Sequence, residues 1–155
     1  MKPNKFTIQK SFAINAGAGS GKTYTLSRRY INALLGFDYF REDYETQKPC
    51  FGEQEPASVN QIVTITYTEA AALEMKGRIF KLVSKILHFD TLHVEDDDYS
   101  SIKEANDAAK DERNFLVETL KKAYQDSGNS RISTIHSYCL NIIKANADIA
   151  RMDTK

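Results

Sequence analysis

The sequence predicts an α/β fold with a largely parallel sheet. Three observations predict it: the apolar run "FAIN" feeding the glycine-rich stretch "AGAGSGKT", the β-branched run "QIVTITYT" followed by a long helical pattern, and "RISTI" leading into another helix. Strand-then-helix units repeated along one chain imply parallel strands joined by right-handed crossovers. At 155 residues, 41% hydrophobic and 27% charged, the chain fits one globular domain with enough apolar material for a core.

Taken in order, "FAIN" at 12–15 is short and apolar and runs straight into glycines, as a buried strand entering a tight loop does. Beyond the loop, Leu26, Tyr30, Ile31, Leu34 and Leu35 recur at three- and four-residue spacing, an amphipathic helix ended by Gly36. Residues 37–60 mix aromatics, acids, Pro49, Gly52 and Pro56 without a period and read as a long connection or insertion. The run at 61–68 is a second strand, and "EAAALEMKGRIFKLVSKIL" places Leu73, Phe80, Leu82, Val83, Ile86 and Leu87 on a helix. An acidic loop then leads into "SIKEANDAAKDERNFLVETLKKAYQDSGNS", helical by composition, with an apolar face from Phe115 to Tyr124 and the breaker "SGNS" at its end. Residues 88–130 therefore form a second insertion, before a short strand at 131–135 and a helix starting near Thr134 with Tyr138, Ile142 and Ile143.

Net charge is zero, but it is unevenly placed. Residues 1–35 carry only Lys2, Lys5, Lys10, Lys22, Arg28 and Arg29, whereas acids crowd Asp38 to Glu55 and the stretch "DTLHVEDDD" ending at Asp98; both acidic runs read as solvated loop surface. Cys50 and Cys139 stand far apart at no metal-ligand spacing, which points to a reducing, cytoplasmic setting rather than a zinc site or a disulfide framework. No 18-residue apolar run exists and "MKPNKFTIQK" lacks a signal-peptide core, so no membrane partner is expected.

The motif with chemistry is Ala16, Gly17, Ala18, Gly19, Ser20, Gly21, Lys22, Thr23. It departs from the strict phosphate-loop pattern only at Ala16, which holds the first glycine position. Glycines let backbone N–H groups turn inward around an anion, and the following helix aims its positive end at the same point. Lys22 then reaches the β- and γ-phosphates of ATP or GTP, and the Thr23 hydroxyl ligates the bridging Mg²⁺.

Two further stretches carry a family resemblance. "ITYTEAAALEMKGRIF" at 65–80 resembles the motif T-[FY]-T-x-x-A-A-x-E-M-x-x-R of superfamily 1A DNA helicases, and "STIHSYC" at 133–139 resembles their T-x-H-x-[FY]-C segment, in the same order. "AGAGSGKT" is the form the phosphate loop takes in these enzymes, so Ala16 fits the family. The short segment before the loop and the long insertion between the second and third motifs look more like the RecB and AddA helicase-nucleases of double-strand-break repair than like UvrD, Rep and PcrA.

The resemblance implies a P-loop NTPase (RecA-like) three-layer sandwich, incomplete within 1–155, with ATP and Mg²⁺ as cofactors. It further implies single- and double-stranded DNA as partners, and a second helicase-nuclease subunit. By the same likeness, Tyr67 stacks on a base of the single strand, the Thr66 and Thr68 hydroxyls contact phosphate or sugar, and Arg78 and His136 lie at the same track. Taken without the family, Tyr67 reads as a half-buried packing residue, Arg78 as the partner of Glu74 one turn earlier, and His136 as a cap or packed side chain. Glu69-Ala70 stands where many members have Asn-Lys, which puts an anion near the track.

The acid pair, sensor glutamine and arginine fingers that hydrolysis needs follow the T-x-H segment in this family, and the sequence stops at Lys155 before them. The expectation is an amino-terminal part of a motor domain that grips nucleotide without turning it over. A small P-loop phosphotransferase is the rival from another class, but it needs an arginine-rich lid, and the acidic 90s loop has the wrong sign. A non-catalytic nucleotide-binding module is the third reading.

Overall fold

The computed structural model describes residues 4–11, 13, 21–45 and 54–150. Helix α1 spans Lys22–Leu35 and strand β1 spans Val63–Thr66, directly followed by α2, Glu69–Leu87. Helices α3, Tyr99–Ala108, and α4, Arg113–Gln125, fill the connection to β2, Arg131–Thr134; α5, Ile135–Ala145, and the short α6, Ala147–Ala150, follow. The two strands pair in parallel, Val63 beside Arg131 and Thr66 beside Thr134. The predicted mixture of helices with a small parallel sheet is thus present. The expected first strand at 12–15 and the loop at 16–20 lie outside the described residues, Ala13 apart.

The core forms where α1, α2 and α4 face one another. Tyr30, Ile31, Leu34 and Leu35 of α1 meet Met75, Ile79, Phe80, Leu82, Val83 and Ile86 of α2, and Leu116 and Leu120 of α4 close the cluster with Ile102 of α3. Phe80 stacks edge-on between Tyr30 and Tyr124 at centroid distances of 6.5 and 6.4 Å. Gly36 ends α1 in the left-handed region at φ 73°, its N–H bonded to the Asn32 carbonyl. A β-carbon there would also lie 2.6 Å from the Gln54 carbonyl oxygen, so glycine is required twice over.

Several expectations need correction. Leu26 and Leu73, predicted on apolar faces, are 44% and 74% exposed. The row Leu73, Phe80, Leu87 runs along the edge of the α2 stripe, and the stripe itself is centred on Met75, Ile79, Leu82 and Ile86. The helical stretch after the acidic loop is not one helix: it breaks at Ala109, and a single turn at Lys110–Glu112 reorients the chain into α4. Residues 37–45 and 54–60 do form a connection without regular structure, yet Phe37, Tyr39, Phe40 and Val59 are buried core residues. Asn32 explains how: its amide donates to the Phe6 and Phe40 carbonyls at 2.9 and 3.0 Å and accepts the Phe40 N–H at 2.8 Å. A loop whose buried backbone groups are satisfied by one side chain can enter the core.

The acidic 90s loop is not merely solvated surface. Arg28 of α1 is 2% exposed, with its guanidinium 3.3 Å from the Tyr24 ring centroid and 4.9 Å from that of Phe40. Its charge is met by Asp98 at 2.8 Å and by the Ser101 hydroxyl at 3.0 Å. Lys85 of α2 donates to Asp96 at 2.6 Å and to Asp98 at 2.7 Å, so Asp98 bridges two helices. Burial alone would raise the Asp98 carboxyl, but the hydrogen bonds from Lys85 and Arg28 outweigh it and hold the group below its usual range.

Removing one member of such a buried pair strands the other's charge. Asp98→Ala is expected to destabilise the fold by about 3 kcal/mol in urea unfolding, whereas a cost under about 1 kcal/mol would show that the pair behaves as an exposed one. Because the folded carboxyl is depressed, its contribution is present above the unfolded value near pH ~4 and is lost as pH falls through the lower folded value. Asp98→Asn should therefore flatten the acid limb of the stability profile.

Candidate functional site

The candidate site has two parts, and the sequence builds each at the start of a helix. At the first, Gly21 adopts φ 79° and ψ 15°, a left-handed conformation open to glycine, and its carbonyl accepts the Thr25 N–H at 2.9 Å to start α1. Lys22 is exposed and Thr23 half-buried in the first turn, which carries no acidic residue. A helix start with an exposed lysine, a hydroxyl and no acid of its own fits a bound polyphosphate with its Mg²⁺. Ala16, Gly17, Ala18, Gly19 and Ser20 lie outside the described residues. Among those described, no cluster of three or more His, Cys, Asp or Glu is placed to hold a metal.

The second part sits at the carboxyl end of the sheet. Parallel pairing of Thr66 with Thr134 brings the turn Tyr67-Thr68 and the turn into α5 side by side. Thr68 caps α2 by accepting the Ala71 N–H at 3.1 Å, and Thr134 caps α5 by accepting the Ser137 N–H at 3.2 Å. The Thr66 hydroxyl donates to the Thr68 carbonyl at 3.0 Å, which tightens the turn that carries Tyr67. Tyr67 is 93% exposed in this chain, not the half-buried packing residue that its place at a strand end suggests. His136 is exposed in the first turn of α5. Thr66, Tyr67, Thr68 and His136 are therefore gathered at one edge.

Arg78 is placed differently. It lies nine residues along α2 from Glu69, about 13 Å at the helical rise, and its guanidinium meets Glu74 at 2.6 Å. It also lines a cleft of about 200 Å³ with Tyr24, Lys81 and Lys85 between α1 and α2.

The anion that the sequence puts near the track has partners that the sequence did not reveal. Glu69, in the first turn of α2, accepts hydrogen bonds from the Ser137 hydroxyl at 2.7 Å and the Thr134 hydroxyl at 2.8 Å. Those two bonds hold its carboxyl below the ordinary range. The signal available was the spacing Thr134 to Ser137, which puts two hydroxyls on one helix start, but nothing in the chain says which acid they receive.

With this geometry in hand, similarity to known proteins decides the family. The sequence model of the UvrD/REP helicase N-terminal domain matches residues 2–154. The chain belongs to that family. Among its relatives, an ATP-dependent helicase/nuclease subunit of Clostridium botulinum strain Okra is 30% identical over 148 residues, 96% of this chain and 8% of that protein. The corresponding subunit of Clostridium kluyveri is 27% identical over 141 residues, 91% of this chain and again 8% of the relative. The chain therefore spans 8% of the length of these curated relatives. The likeness of this UvrD/REP-type domain to helicase/nuclease proteins agrees with the RecB and AddA side of the resemblance. No helix among the described residues is long and apolar enough to cross a membrane.

Exposure and capping predict different costs at the site. Tyr67→Ala should change stability by no more than about 0.5 kcal/mol. Thr134→Ala, which removes a cap, should cost about 1 kcal/mol. Denaturant titration of the two variants checks this, and an equal loss for both would mean that the Tyr67 ring packs.

Proposed function

We infer that these residues form the amino-terminal part of a helicase motor domain of the AddA type, working with DNA in the cytoplasm. On this reading residues 1–155, with insertions at 37–60 and 88–130, supply part of a RecA-like three-layer sandwich that is incomplete within them, and 12–15 supplies the strand before the phosphate loop. Ala16 to Thr23 cradle the nucleotide: Lys22 holds the β- and γ-phosphates as a point charge, and Thr23 supplies the hydroxyl ligand to Mg²⁺. Bound ATP supplies the phosphoanhydride bond whose hydrolysis drives movement in a complete motor. Thr66, Tyr67, Thr68 and His136 form part of the single-strand track, with Arg78 further along α2. A second helicase-nuclease subunit is the partner that this reading implies.

The observation that carries the reading is the 93% exposed Tyr67 on a two-residue turn between a strand and a capped helix, beside the start of α5. An aromatic ring that faces solvent from a turn pinned by threonine hydrogen bonds suits base stacking. The absence of acid in the first turn of α1 supports the nucleotide half. Asp96 and Asp98 are engaged by Lys85 and Arg28, which argues against their serving as the Mg²⁺ acid pair.

Equilibrium titration of the 155-residue chain tests both halves. A fluorescent ATP analogue should bind with Mg²⁺ and lose at least tenfold in affinity in Lys22→Ala. A labelled single-stranded oligonucleotide should bind and lose roughly tenfold in Tyr67→Ala, the loss of one stacked base at about 1–3 kcal/mol. The chain should show no appreciable ATP turnover. Oligonucleotide binding indifferent to Tyr67 would overturn the track, and robust ATPase abolished by Lys22→Ala would overturn the assignment as a part-motor.

A further inference from the structure

The two hydroxyls that open α5 are not idle. Thr134 and Ser137 donate to the same carboxylate oxygen of Glu69, at 2.8 and 2.7 Å, and their own oxygens lie 3.1 Å apart. The acid comes from the opposite turn, 65 residues earlier, so it joins the two motif turns directly. Paired hydroxyl donors at the positive end of a helix are a common partner for a nucleic-acid phosphate, and here a carboxylate fills that place. Glu69 is exposed and nothing in the fold requires an acid there, because Thr68 already caps α2 and Thr134 already caps α5 through their own oxygens.

We propose that Glu69 is an internal anion that holds the hydroxyl pair of Thr134 and Ser137 closed, and that a backbone phosphate of single-stranded DNA must displace it to engage them. The proposal rests on the single-strand track described above and deepens it. A carboxylate and a phosphate are like charges competing for the same two donors, so only one occupies them at a time. When Glu69 holds them, the strand meets the Tyr67 ring and the rest of the track without these two donors; when Glu69 swings into solvent, one phosphate gains two hydroxyl donors beside that ring. Glu69 thereby sets how tightly this part of the track binds.

Fluorescence anisotropy of the full 155-residue chain with a labelled oligothymidylate, taken across a range of salt concentrations, tests this. Glu69→Gln keeps an oxygen that can accept the hydroxyls and so preserves the turn, while it removes the charge that excludes phosphate. It should raise affinity roughly threefold to tenfold, with little change in the dependence of log K on log salt, because neutral hydroxyl donors release no condensed counterions. Adding Ser137→Ala to Glu69→Gln should cancel the gain. An unaltered affinity in Glu69→Gln would overturn the proposal and leave Glu69 a plain clasp. A gain that survives Ser137→Ala would overturn it as well, since the effect would then be long-range charge. Tyr67→Ala in the unmodified chain separates this from failure of the track itself: if that variant loses binding while Glu69→Gln gains none, only the displacement is wrong, and if it loses nothing, the track reading falls first.

Discussion

The parallel register that sets Thr66 beside Thr134 is the constraint on which the candidate site depends. Two four-residue strands make a weak ladder by themselves, since an isolated pair of strands is marginal in water. What fixes it is packing from the helical side. Ile62, just before β1, and Ile132 of β2 rest against the core that α1, α2 and α4 build. A slip by one residue would turn Ile132 away from that core, so burial on one face specifies the pairing. Once the register is set, each strand passes into its helix with little or no linker, and the caps at Thr68 and Thr134 define where each helix begins. The backbone that carries Tyr67 is therefore held by a short, hydrogen-bonded turn rather than by a loop.

Helix α1 is held by a different kind of interaction. Arg28 is buried between two aromatic rings and paired with Asp98, and Asp98 is shared with Lys85 on α2. Hydrophobic contacts between α1 and α2 could be satisfied over a range of angles, because apolar packing is not directional. A guanidinium with a carboxylate and a serine hydroxyl on one nitrogen tolerates far less freedom. The ionic bridge thus fixes how α1 sits on α2 and on the 90s loop, and so fixes the direction in which Lys22 emerges.

Much of this was legible in the sequence, for physical reasons that can be named. The apolar spacing in α1 and the glycine that stops it follow local rules, and so do the strand-to-helix steps at Thr68 and Thr134, where a hydroxyl residue ends a β-branched run. Leu73 was misread because spacing gives the period of a helix but not where its neighbours end. The burial of Phe37, Tyr39 and Phe40 was hidden because it depends on one amide, Asn32, reaching across from α1. The pairing of Arg28 with Asp98 joins residues 70 apart, and charges carry no periodicity that announces such a partner. Arg78 is the converse case: its pairing with Glu74 is local, at one helical turn, and was readable for that reason.

The candidate track combines two kinds of contact that differ in what they demand. Each threonine and serine hydroxyl named in it has an internal partner: Thr66 donates to the Thr68 carbonyl, Thr68 accepts the Ala71 N–H, and Thr134 and Ser137 donate to Glu69. Phosphate contacts through these groups therefore require an exchange of one hydrogen bond for another, with little net gain unless the incoming acceptor is charged and the outgoing one is released to water. The Tyr67 ring has no such competitor on its exposed faces. Stacking on it adds contact without breaking any, which makes the ring the first element able to hold a base and the hydroxyls the second. On the proposed reading, a track built in this order would grip weakly and without reading sequence.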